Sequence, residues 1–88
     1  MNRNEFEQYL ASNAYAPAQA VTYPPHMSND MHTHEFTACL LIVEGTLTLT
    51  TESGAITYQT GESCEVAAGT LHSEQTGADG VTFLASRK

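Results

Sequence analysis

The punctuation of its second half is what most constrains how this chain can fold. After residue 44, turn residues recur every seven to ten positions, at Gly45, Ser53-Gly54, Thr60-Gly61 and the AAGT that ends at Thr70. Between them, Thr46–Glu52 alternates as TLTLTTE, with Leu47 and Leu49 on one face and threonines on the other. That alternation is the period of a β-strand. Short strands at this spacing specify an all-β sandwich or small barrel. Strands are expected at Ala20–Tyr23, Met31–Ala38, CLLIVEG up to Gly45, Thr46–Glu52, Ala55–Gln59, Glu62–Ala67, Leu71–Thr76 and Val81–Ala85. Ahead of them, NEFEQYLASNA reads as one short N-terminal helix over about residues 4–13, with Asn4 as N-cap, Glu7 closing a capping box and Pro17 barring continuation.

A chain of 88 residues allows one domain, here a helix followed by a barrel over about residues 18–86. The charge pattern excludes whole classes of partner. Ten acids face three bases, and those bases are Arg3, Arg87 and Lys88, so none lies between Asn4 and Ser86. Nucleic-acid affinity and attraction to anionic membrane surfaces both depend on Lys and Arg, so neither partner is expected. An anionic substrate would have to meet a bound metal or backbone amides. No run is long and apolar enough to span a bilayer, and with no basic n-region or apolar h-region at the start a secretory signal is not expected. Cys39 and Cys64 form no CxxC pair and are expected to be reduced thiols in a cytoplasmic protein.

The histidines carry the chemistry. His32 and His34 sit two apart in an extended stretch, so both rings point to one face. Phe36, Ala38, Leu40 and Ile42 continue that parity and form the walls of an apolar pocket behind them. His72 follows a turn and opens another strand, with Glu74 on the same face. Two imidazoles from one strand and a third from another make an open site for a divalent first-row metal such as zinc, iron or nickel. His26 lies in a turn-rich loop and is expected in solvent. Cys39, Leu41 and Val43 face the other way and need cover from the helix or a second subunit.

HTHEFTACLLIVEG followed by GESCEVAAGTLH resembles the paired motifs of the cupin superfamily, on His32, His34, Gly45, Gly61, Gly69 and His72. The resemblance covers about residues 18–86 and implies a double-stranded β-helix, or jelly-roll, barrel. It also implies His32, His34 and His72 as metal ligands. The Glu ligand of the family falls on Ala38, and Ala67 stands in place of its proline. Cys39 has the wrong parity to replace that Glu, and Glu35 should point outward. Glu74 is therefore the replacement considered, as a fourth ligand or as an acid–base group. A three-histidine site completed by water is equally admissible.

Two functional classes follow from the resemblance. One is a metal-dependent enzyme, dioxygenase- or isomerase-like, acting on a small molecule. The other is a non-catalytic ligand- or metal-sensing module that works through a protein partner. A barrel that has lost its metal is a third reading, given Ala38. Relatives commonly pair through their sheets, so a homodimer is also expected.

Overall fold

Two long strands carry most of the backbone hydrogen bonding in the computed structural model, which describes residues 1–88. Helix α1 (Arg3–Ser12) comes first, then β1 (Gln19–Tyr23), β2 (Ala38–Thr51), β3 (Gly54–Gln59), β4 (Ser63–Val66) and β5 (His72–Arg87). Every strand pair is antiparallel, in the order β1-β5-β2-β3, with β4 also pairing with β2. The all-β class with one short helix is as the turn spacing requires. No helix is long and apolar enough to cross a membrane.

The strand boundaries differ from the sequence reading in an instructive way. CLLIVEG and TLTLTT run together in one 14-residue strand that starts at Ala38, and His72–Thr76 and Val81–Ala85 lie within one of 16 residues, with Leu71 and Glu52 just outside. Gly45 is not a turn but part of an irregularity in the β2–β5 ladder. The register shifts between Ile42 and Glu44 and again between Gly45 and Leu47. Inserting residues into one strand changes which side chains face inward. Leu40 and Ile42 point inward before the shift, and Leu47 and Leu49 after it. Even positions hand the core over to odd ones.

Glycine is required where the strands cross. Gly45 has φ +80°, and a Cβ there would overlap the Gly80 carbonyl oxygen, far inside van der Waals contact distance. Gly80 has φ +66°, and its Cβ would lie 2.6 Å from the Tyr23 carbonyl oxygen. The close backbone approach and the left-handed torsions both exclude a side chain.

Met31–Ala38 is not a strand. His32 pairs with His72 in an isolated bridge, the chain bends at Glu35-Phe36, and regular pairing resumes only where Thr37 exchanges backbone bonds with Lys88 and Ala38 opens β2. The stretch before it is laced to β5 partly through side chains, as in the Met27 N–H to Thr76 Oγ1 bond of 2.8 Å. Such bonds replace a regular ladder and free the local backbone to bend.

Two apolar clusters flank β2 and β5. Inside the barrel lie Leu40, Ile42, Leu47, Leu49, Val81 and Phe83. On the outer face, α1 and the turn after it cover Cys39, Leu41 and Leu84 with Phe6, Leu10 and Tyr15. The helix thus supplies the cover that the outer face needs, except at Val43, which stays 45% exposed on the irregular stretch. The helix starts earlier than the sequence suggested. Asn2 is the N-cap, accepting from Glu5 N–H at 2.8 Å while Glu5 accepts from Asn2 N–H at 2.9 Å. The Asn-x-x-Glu pattern occurs twice in register, and the earlier copy adds helical hydrogen bonds, including Phe6 N–H to the Asn2 carbonyl.

Cys39 belongs to the outer cluster, whereas Cys64 packs against the inner one, so the sheet separates the two free thiols. Burial pushes the Cys39 thiol up to about 11 and the Cys64 thiol up to about 12. Two outcomes are expected. Gly45→Ala should lose about 2–4 kcal/mol in a urea melt, while Gly77→Ala, whose Cβ meets only Thr46 Oγ1 at 3.9 Å, stays near wild type. At about pH 8 neither thiol should react quickly with iodoacetamide until denaturant is added, because the thiolate is the reacting form.

Candidate metal centre

The three histidines meet because His32 and His72 face one another across a two-residue bridge. His32 N–H donates to the His72 carbonyl at 2.8 Å, and His72 N–H donates to the His32 carbonyl at 2.9 Å. Residues directly opposite in an antiparallel pair carry their side chains on the same side. Their ring centroids are 4.4 Å apart. His34, two residues on, keeps the same face, with its ring 5.0 Å from His32 and 4.8 Å from His72. Its carbonyl is tied to Gly69 N–H at 2.9 Å, which anchors the bend to the turn before β5. One ring nitrogen from each histidine lies within 4.8 Å of the others. Nitrogens about 2.1 Å from a shared ion stand roughly 3.0–3.4 Å apart, so side-chain rotations suffice to close the cluster.

Backbone carbonyls fix two of the rings. His32 Nδ1–H donates to the Asp30 carbonyl at 2.7 Å, and His72 Nδ1–H donates to the Thr70 carbonyl at 2.8 Å. A carbonyl only accepts, so each Nδ1 carries the proton and each Nε2 presents a lone pair. His34 makes no side-chain hydrogen bond within the protein, and its Nδ1 is buried without a partner. Burial, followed by the neighbouring His72 and His32, lowers the pKa of His34, so the ring is held neutral.

Glu74 stands beside the triad, next to His32. Its Oε1 is 3.4 Å from His32 Nε2 and accepts from Asn29 Nδ2 at 3.2 Å, while Oε2 accepts from Tyr23 O–H at 3.3 Å. Asn29 Oδ1 also accepts from Glu74 N–H at 2.7 Å. Burial and the Glu74 charge raise the Tyr23 pKa, which keeps its phenol a donor. A lone pair on His32 Nε2 facing a carboxylate oxygen is repulsive unless a proton or a cation joins them. Together with the unpartnered His34 nitrogen, this arrangement fits a bound cation.

The triad opens onto a cavity of about 350 Å³. Phe36, Ala38 and Leu40 line it together with Tyr23, Leu49 and Phe83. Ile42 lies deeper, 1% exposed within the packed inner cluster, and does not line it. His34 stacks on Phe36 with centroids 4.6 Å apart and planes 6° from parallel. Ala38, at the position of the family's Glu, is a cavity wall with no ligating atom. Cys39 packs under α1, Glu35 is exposed, and His26 is exposed with φ +56°. Sequence reasoning missed Tyr23 and Asn29. The alternation of β1 puts Gln19, Val21 and Tyr23 opposite inward-facing residues of β5, so Tyr23 was accessible by parity. No local signal marks Asn29. Arg87 was read as a chain-end base, but it pairs with Ala38 in the β2–β5 ladder and its Cζ lies 4.8 Å from the Phe36 ring centroid.

A family profile described as cupin domain matches residues 19–84. No curated protein matches the sequence significantly. Solved structures with the same fold include a cupin-2 domain containing protein from Shewanella frigidimarina, at 21% identity and TM-score 0.69. That match covers 84% of this chain and 70% of the other. A polyketide cyclase from Streptomyces resistomycificus aligns at 21% identity and TM-score 0.72, over 83% of this chain and 54% of its own. A predicted oxalate decarboxylase from Thermotoga maritima aligns at 20% identity and TM-score 0.69, covering 91% of this chain and 71% of its own. Identities this low carry the jelly-roll fold and leave the reaction undefined. The family match runs from the start of β1 through most of β5 and includes all three converging histidines, so this chain belongs to the cupin domain family.

Proposed function

We propose that His32, His34 and His72 hold one divalent first-row metal ion, of which zinc, iron and nickel fit the imidazole donors, and that a small molecule binds beside it in the barrel. The observation that carries this reading is the pair of backbone-anchored rings, His32 and His72, each presenting Nε2 beside the unpartnered His34. A bound ion would supply Lewis acidity, or redox chemistry if the metal is iron. The chain's own residues do the rest. The carbonyls of Asp30 and Thr70 hold two rings in the ligating tautomer. Phe36, Leu40 and Leu49 keep water from the apolar side of the cavity. Glu74, steadied by Asn29 and Tyr23, is the one carboxylate placed to take a proton from a bound ligand or to add an oxygen to the ion. Two unpaired thiols suit a reducing compartment such as the cytoplasm.

Metal analysis of protein purified without a histidine tag tests this reading. About one equivalent of metal is expected after loading, and His72→Ala should weaken binding by a factor of about 100 or more. Failure to take up zinc, iron or nickel after reconstitution would sink the proposal. Metal binding should also weaken in acid, because protons compete for the imidazoles.

The metal-free protein gives a further check. Its folded state disfavours the proton on His34, so the unfolded chain binds more protons below about pH 6.5. Stability should therefore fall as the pH drops through that value. His34→Gln should flatten this part of the profile in urea melts.

A further inference from the structure

Arg87 is the one cation near the cavity, and its guanidinium makes no hydrogen bond or ion pair within the protein. The ladder places it opposite Ala38, and directly opposed residues share a face, so Arg87 enters from the side on which Ala38 and Leu40 line the cavity. Its guanidinium lies over Phe36, whose other neighbour in the stack is His34. It forms no ion pair, whereas Arg3 is paired with Glu7 at 3.1 Å. Lys88 is occupied elsewhere, its Nζ donating to the Asn13 carbonyl at 3.0 Å and lying over the Tyr15 ring.

A second cavity, of about 280 Å³, adjoins the first. Val21, Phe36, Ala38 and Ala85 wall both of them. The histidines line one and Arg87 lines the other. The shared wall is low at Ala38, where the side chain is a single methyl. The two spaces therefore lie side by side along that wall, with an imidazole end, an apolar wall between, and a cationic end at the exposed Arg87.

From this juxtaposition we infer that the ligand of the barrel is a small organic monocarboxylate, its carboxylate on Arg87 and its far polar group at the histidines. This rests on the metal reading above for the far end only. A guanidinium matches a carboxylate with two parallel N–H···O bonds, and stacking on Phe36 restricts its orientation in advance. The charge count selects a carboxylate over a phosphomonoester. A phosphate carries about −1.5 to −2 near neutral pH, and a single guanidinium would leave much of that uncompensated in a chain of net charge −7.

Titration followed by NMR chemical shifts tests the inference on the zinc-loaded protein. The probes are short keto- and hydroxy-monocarboxylates, each against its own primary amide, with inorganic phosphate as a third arm. Zinc content is measured on the same samples, and every titration is repeated without metal. The expected result is that at least one acid shifts the Phe36, Ala38 and Arg87 resonances and binds about tenfold or more tightly than its amide. Arg87→Gln should remove that preference without changing zinc content, and Arg87→Lys should retain part of it. Acid and amide binding alike, no acid binding at all, a preference that survives in Arg87→Gln, or phosphate binding more tightly than every acid would each overturn the inference. If zinc is not retained, the metal reading fails on its own. The acid–amide comparison without metal still decides the role of Arg87.

Discussion

The hydrogen bonds between β2 and β5 run the length of the molecule, and the shift in the middle of that ladder sets what faces inward at each end. Before the shift, β2 lies between β4 and β5; after it, between β3 and β5. One strand thus serves both halves of the barrel. It can do so only if its inward parity changes, from Leu40 and Ile42 to Leu47 and Leu49. The change is confined to a few residues because Gly45 and Gly80 let two backbones approach more closely than any side chain permits. His72 and Glu74 lie on the far side of that shift from Ala85 and Arg87, yet all four border one or other of two cavities that share a wall.

The site is dominated by hydrogen-bond acceptors and lone pairs. Two imidazole nitrogens are freed by carbonyl acceptors behind them, a third ring has no partner, and a buried carboxylate stands 3.4 Å from the nearest. In a cavity with apolar walls, such an assembly repels itself unless positive charge is brought in. The sequence has few means of doing that, with no Lys or Arg between Asn4 and Ser86. Placing Arg87 across from Ala38 brings one guanidinium to the mouth, at a distance from the rings set by the Phe36 stack.

Much of this was legible in the residues, and the remainder fails for identifiable reasons. Turn spacing and alternation suffice for an all-β barrel, and the HTH spacing suffices to put His32 and His34 on one face. That His72 joins them needs the resemblance to a family, because a contact between residues so far apart leaves no local periodicity. Gly45 looks like a turn, since a bulge and a turn both call for a glycine with positive φ. Ile42 follows the parity of the pocket but lies too deep along β2 to line it, and depth is not written in alternation. The capping pattern was recognisable but placed two residues late, on Asn4 and Glu7, because the same spacing occurs at Asn2 and Glu5, where the structure puts the cap. Asn29 holds Glu74 from an irregular loop, where no period exists to read.

The bridge between His32 and His72 has a bearing on assembly. His32 lies between β1 and β2, and His72 opens the longest strand, β5, whose pairing with β1 and β2 closes the structure. No hairpin presents three imidazoles by itself, so a growing chain offers an ion at most the His32–His34 pair. Folds built on such distant pairings form slowly compared with helical ones. The three imidazoles therefore come together only once closure is reached. An ion bound there would enter a finished vessel, and its identity would follow from what the surroundings supply at that moment as much as from the order of intrinsic affinities.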